Sequence, residues 1–190
     1  KKTIQSYQLS FPNFLPKFIS GMKHLSNSVK NDISACYKEN SNDIVITTRL
    51  DNDDALHEDF VKTIQTYIKT NHITKGVIDI PNGYCLQVDS ILALSSTIQL
   101  SNAFITYVEP FVSESDLLTV LNKKHPEWAY SVKTFLIHHN GLWMQIIHQN
   151  NVANEIQGIT INDQGRLIAF HPQKEIHFPV IKKHRAIYNN

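Results

Sequence analysis

The run Ile44-Val45-Ile46-Thr47-Thr48-Arg49-Leu50, cut off by Asp51-Asn52-Asp53-Asp54, constrains the fold more than any other stretch. A continuous β-branched run has no polar face, so it predicts a buried sheet strand, central in its sheet. Beyond the acidic cluster, Leu56, Phe60, Val61, Ile64, Tyr67 and Ile68 recur at three- and four-residue intervals. That spacing predicts an amphipathic helix, opened by acidic residues where the helix dipole favours them. Carboxylates at a strand end feeding a helix occupy the place where ligands usually bind in open α/β sheets. The fold class is α/β, a mixed sheet flanked by helices.

The remaining elements are read in the same way. Residues 1–23 predict a proline-broken aromatic loop leading into a short helix, and Phe18 to Tyr37 a polar helix. Gly76–Ile80 and Tyr84–Val88 predict two strands around the turn Pro81-Asn82-Gly83. Asp89–Leu100 fits helix and strand equally, and Ala103–Val108 predicts a strand closed by Glu109-Pro110. Leu117–Lys124 predicts a helix stopped by His125-Pro126. Val132–His139 and Leu142–His148 flank Asn140-Gly141, the strongest short hairpin signal in the chain. Ile159–Ile161 and Leu167–Phe170 predict two more short strands, and Lys182-Lys183-His184-Arg185 a basic tail.

Composition removes several classes. The net charge of +1 provides no field for a nucleic acid polymer, and 42% hydrophobic residues with 18% charged suit a folded core. With 6 Gly, 2 Cys and no apolar run of bilayer length, collagen-like, disulfide-rich and transmembrane readings fail. Cys36 and Cys85 are expected as separate thiols, and a cytoplasmic location is the default. The chain divides into an N-terminal loop and helical segment (1–43), a core (44–181) and the basic tail (182–190), where membrane contact is the minority reading.

In an extended backbone Asp51 and Asp53 project to the same side and can converge on one hard cation such as Mg²⁺ or Mn²⁺. The competing reading is a solvated acidic cap on the following helix, with Asp53 or Asp54 bonding free amides. An EF-hand is excluded, because Leu56 stands where the loop needs Gly and Lys62 where it needs Glu. No Gly-rich phosphate loop occurs, so phosphate would be held through metal and side chains. Arg49 has the charge to pair with Asp51 or to touch phosphate. Trp128, Trp143 and Tyr84 have rings that could stack on a sugar, although core packing is their commoner use.

Thr47-Thr48-Arg49-Leu50-Asp51-Asn52-Asp53-Asp54-Ala55-Leu56, with Asp59-Phe60-Val61, resembles the signature of the putative rhamnosyltransferase family. Trp143 to Asn154 is similar to that family's C-terminal strand ending in a His, although Gln149-Asn150 stand where the family carries Gly and an acidic residue. Weaker matches are Gly83-Tyr84, Asn102-Ala103-Phe104 with Glu109, and His125. The resemblance implies a bacterial GT-A-like fold and metal-dependent transfer of a sugar, rhamnose by the family's name. The sugar would pass from a nucleoside diphosphate donor to a glycan acceptor. It implies Asp51, Asp53 and His148 as ligands to Mn²⁺ or Mg²⁺, and Arg49, Asp51 and Asp54 as donor-binding residues. Glu109, ending a predicted strand, is the first candidate to take the acceptor proton, and Glu127 the second. A βα nucleotide-holding portion would precede the motif, so the chain is expected to lack it and to be incomplete for catalysis. Phe11, Phe14 and Phe18 are then expected to favour a homodimer. The rivals are a metal-dependent phosphoester hydrolase and a non-catalytic carbohydrate-binding module that grips sugar through one divalent ion.

Overall fold

The computed structural model describes residues 2–21, 24–37, 43–88, 93–148, 158–161, 166 and 169–170. The apolar run forms β1 (Ile44–Thr48), and the amphipathic pattern forms α3 (Phe60–Thr70), with the short strand β2 (Ala55–Leu56) between them. Two helices come before β1: α1 (Lys2–Ser10) and α2 (Leu25–Cys36). After α3 come β3 (Gly76–Asp79), β4 (Asn82–Gln87), β5 (Ala93–Ile98) and β6 (Thr106–Pro110). A 3₁₀ turn (Val120–Asn122), α4 (His125–Trp128), β7 (Thr134–Leu136), β8 (Trp143–Ile147) and β9 (Ile159–Ile161) complete the order. No helix among the described residues is long and apolar enough to cross a membrane.

The strands make two mixed sheets, ordered β1-β6-β3-β7 and β2-β8-β4-β5-β9. In the first, β1 and β3 are each antiparallel to β6, and β7 is parallel to β3. The carboxyl ends of β1, β3 and β7 therefore share one edge. On one face of this sheet lies α3, which buries Phe60, Ile64 and Ile68 at four-residue spacing against Ile78, Phe104, Val108 and Trp143. The other face carries Val77, Ile105 and Tyr107, covered by Val120 and Trp128. Trp128 donates its indole N–H to the Val120 carbonyl at 3.0 Å and stacks on Tyr107.

Trp143 begins β8 in the second sheet yet packs in the core of the first, stacked on Phe104 with centroids 4.7 Å apart. Its indole N–H donates to the Ile80 carbonyl at 2.6 Å, where the chain passes from β3 to β4. The ring lies so close to the backbone of Gly83 that a Cβ there would sit 2.2 Å from it. This packing requires glycine at position 83.

Several expectations are corrected. Strand β1 is an edge strand of the first sheet, not a central one. Its run is continuous because both faces are covered: Ile44 and Ile46 lean on the α3 side, and Val45 packs with Phe111 and Leu117 on the other. Asn140-Gly141 does turn, with Gly141 at φ 69°, but β7 and β8 on either side join different sheets and form no hairpin. The Pro81-Asn82-Gly83 turn likewise dissolves, since Asn82 and Gly83 already belong to β4. Only Val120–Asn122 is helical within Leu117–Lys124, and Pro126 starts a helix instead of stopping one. A helix, α1, stands where an N-terminal loop was expected, while the helix expected from Phe18 spans only Leu25–Cys36. Ala169 and Phe170 are not in a strand. The basic tail and Gln149–Asn154 lie outside the described residues.

Because Ile64 is 2% exposed and Val61 58% exposed on the same helix, the two positions test the packing. Ile64→Ala should cost about 2–5 kcal/mol by urea denaturation, and Val61→Ala about 0.5 kcal/mol or less. Similar losses at both positions would contradict this orientation of α3.

Candidate functional site

At the carboxyl end of β1 the chain turns sharply toward the second sheet. The Asp54 amide donates to the Asp51 carbonyl at 3.2 Å, closing residues 51–54 into a turn. The backbone is not extended here, so the three carboxylates take different partners. Asp51 accepts from Nε and Nη2 of Arg49, both at 3.3 Å. Asp53 Oδ2 lies 3.2 Å from His148 Nε2, which follows directly after β8. Asp54 Oδ1 accepts the Ile146 amide of β8 at 2.9 Å.

The last contact has a local cause. Strand β2 pairs only Ala55 with Met144 and Leu56 with Trp143. The Ile146 amide lies beyond that ladder, and the Asp54 side chain supplies the missing acceptor. Burial pushes the Asp54 carboxyl up from 3.8 to about 6, against the lowering effect of the Ile146 hydrogen bond, with Asp53 and Asp51 raising it further.

Beside this turn lies an open cleft of about 1070 Å³. Val29 and Ile33 of α2 form one wall, Thr47 to Asn52 the floor, and Thr119 to Lys124 the opposite wall. Arg49 and Asp51 face it from the floor, with Lys123, Lys124 and Glu127 across from them. The apolar wall and cationic rim suit an anionic ligand with an uncharged body, and the carboxylates add acceptors for hydroxyls or a cation.

The residues named from sequence separate into two groups. Arg49, Asp51, Asp53, Asp54 and His148 come together at one sheet edge. Glu109 does not join them. It pairs with Val45, three residues along β6 from Thr106 at that edge, about 10 Å away at ordinary strand rise. Its carboxylate is buried and accepts the amides of Leu118 and Thr119. Trp128, Trp143 and Tyr84 are core residues, while His138 and His139 are exposed.

Sequence reasoning missed Asp79, at the carboxyl end of β3 and 1% exposed. It accepts the Ser101 amide at 2.7 Å and the Asn102 side chain at 2.8 Å. Burial raises its carboxyl above the ordinary range, against those hydrogen bonds. The signal was an acidic residue inside the apolar string Val77-Ile78-Asp79-Ile80, which requires an internal partner. Lys123 and Lys124 were also missed, because nothing local distinguishes a cleft lysine from a solvated one.

A family model described as putative rhamnosyl transferase matches residues 4–159. The chain belongs to that family. No curated protein matches it, and no solved structure does. The matched span contains the acidic turn, the cleft walls and His148.

The Asp54 contact has a pH signature. Its carboxyl holds a proton more tightly when folded, near 6, than at the ordinary 3.8. Its contribution to stability is therefore fully present below about pH 4 and is lost as the pH rises through about 6. Asp54→Asn keeps an acceptor for Ile146 and removes the charge. The variant should melt above the parent at about pH 7.5 and converge with it near pH 4. A Tm difference that grows toward acid would contradict the assignment.

Proposed function

We propose that the chain is a GT-A-type glycosyltransferase that moves a sugar from a nucleoside diphosphate donor to a glycan acceptor. Rhamnose, the sugar in the family's description, is the donor sugar proposed. The observation that carries the reading is the Asp53–His148 pair at the carboxyl edge of the first sheet, beside a cleft of about 1070 Å³.

The spacing of the pair fits a divalent ion. Octahedral ligands at about 2.1 Å stand roughly 3 Å apart when adjacent. The separation of 3.2 Å between Asp53 Oδ2 and His148 Nε2 suits two such neighbours. Among the described residues no group of three or more His, Cys, Asp or Glu side chains is arranged around one ion. Mg²⁺ and Mn²⁺ commonly take one or two carboxylates and complete the shell with substrate phosphates and water, and the imidazole in this donor set favours Mn²⁺ over the harder Mg²⁺. When bound, the ion would neutralise charge gathering on the departing diphosphate.

The chain's own residues have separate tasks in this reading. Asp53 and His148 would hold the metal, and Asp51 would reach it by exchanging its Arg49 partner. Arg49 would then be released toward phosphate from the cleft floor. Asp54 keeps the turn against β8 so that Asp53 faces His148, instead of touching the donor itself. The apolar α2 wall would exclude water from one side of the donor. Of the two carboxylates considered for accepting the acceptor's proton, Glu127 is exposed on the cleft wall, with Oε2 accepting the Lys124 amide at 3.2 Å, whereas Glu109 is buried with both oxygens engaged by amides. Glu127 is therefore the proposed base.

Isothermal titration with GDP, UDP and dTDP, each with Mn²⁺, tests the reading. The parent should bind at least one of them in a metal-dependent manner. Asp53→Asn and His148→Ala should each weaken that binding about tenfold or more, an amount typical of losing one ligand or its support. Metal-independent binding, or equal affinity in the variants at matched metal, would contradict it.

A further inference from the structure

Thr119 has φ 62° and ψ 164°, a region of backbone space occupied almost only by glycine. A β-branched residue resists this conformation, and it persists only where its surroundings enforce it. The enforcing groups are visible. The Thr119 amide donates to Glu109 Oε1 at 2.8 Å, and the Leu118 amide to Glu109 Oε2 at 3.0 Å. The next amide, of Val120, donates to Thr47 Oγ1 at 2.8 Å. Three successive amides are thus gathered by side chains of β6 and β1, with Trp128 fixing the Val120 carbonyl from the other side. Successive amides held this way make a concavity suited to an anion, and the Glu109 carboxylate fills it. Thr119 is fully buried and Glu109 is 5% exposed, so water does not compete for these bonds.

We propose that Glu109 is a positioning residue for the cleft: its carboxylate holds Thr119 in this conformation and thereby sets the wall from Val120 to Lys124. The proposal rests on the reading of the cleft as the donor site, but its structural half stands apart from that reading. If Thr119 relaxed to negative φ, the chain after it would leave in another direction, carrying Lys123, Lys124 and Glu127 away from Arg49. The task assigned to Glu109 is mechanical, not proton transfer.

A residue substitution cycle separates these tasks. Glu109→Gln preserves size but turns an NH₂ group toward amides that need an acceptor. Thr119→Gly removes the conformational resistance that Glu109 overcomes. Glu109→Gln should lower Tm and weaken Mn²⁺-dependent binding of the tightest of GDP, UDP and dTDP about tenfold. In a Thr119→Gly background the same Gln substitution should cost less Tm and less affinity than it does in the parent, because glycine holds the conformation without strain. Additive losses in Tm, or unaltered affinity in Glu109→Gln, would overturn the proposal. Should the Gln variant fail to fold, amide hydrogen exchange in the parent decides. The Leu118 and Thr119 amides should exchange as slowly as that of Tyr107 in β6, and rapid exchange would overturn the clasp. A parent that binds none of the three nucleotides defeats the donor-site reading, while the Tm cycle and exchange rates still judge the clasp.

Discussion

The hydrogen bond from the Ile146 amide to the Asp54 carboxylate is the constraint on which the site depends. It joins the turn after β1, in the first sheet, to β8 in the second. Without it, β2 would hold the crossing through only two residue pairs. With it, Asp53 is left facing His148 at the end of the same strand. A half-buried charge accepts that role at a cost, which appears in the raised Asp54 carboxyl. The sheet junction and the proposed metal pair are therefore one structural unit.

Three carboxylates, buried Asp79 and Glu109 and half-buried Asp54, follow a common pattern. Asp54 takes the Ile146 amide, Asp79 the Ser101 amide, and Glu109 the amides of Leu118 and Thr119. Each anchors a connecting segment to a strand, through hydrogen bonds strengthened by the charge of the acceptor. Exposed Asp51 and half-buried Asp53 instead meet a cation and an imidazole, partners that a metal or phosphate could replace. The bonding partner thus sorts acidic residues into anchors and candidate ligands. Burial does separate Glu109 from Glu127, which stands exposed on the cleft wall.

Much of the frame was legible from local patterns. The α3 stripe is strongly periodic, and β1 is uninterrupted, so both elements stand near where they were expected. Pairing was less legible because it depends on distant residues. Asn140-Gly141 encodes a positive φ, which the chain uses to pass between sheets rather than to close a hairpin. An apolar run reports two covered faces, and α3 with Leu117 covers those of β1 at a sheet edge, burying Val45 and half-burying Ile44 and Ile46. The acidic turn was legible as a site, but the separate partners of Asp51, Asp53 and Asp54 follow from a turn hydrogen bond with no distinctive residue pattern. Glu109 was misleading for a related reason. A strand-end glutamate looks the same before a substrate or an amide pair, and a threonine carries no mark of the positive φ that makes position 119 need one.

The central claim is that Asp53 and His148 share one divalent ion beside a bound diphosphate. Its most direct measurement is a Mn²⁺ titration of the full chain in the presence of nucleoside diphosphate, followed through the ring resonances of its 10 histidines. Paramagnetic broadening should remove the His148 signals first, at substoichiometric metal, while exposed His138 and His139 remain sharp. A His148 resonance that persists while those of His138 and His139 disappear would contradict the account.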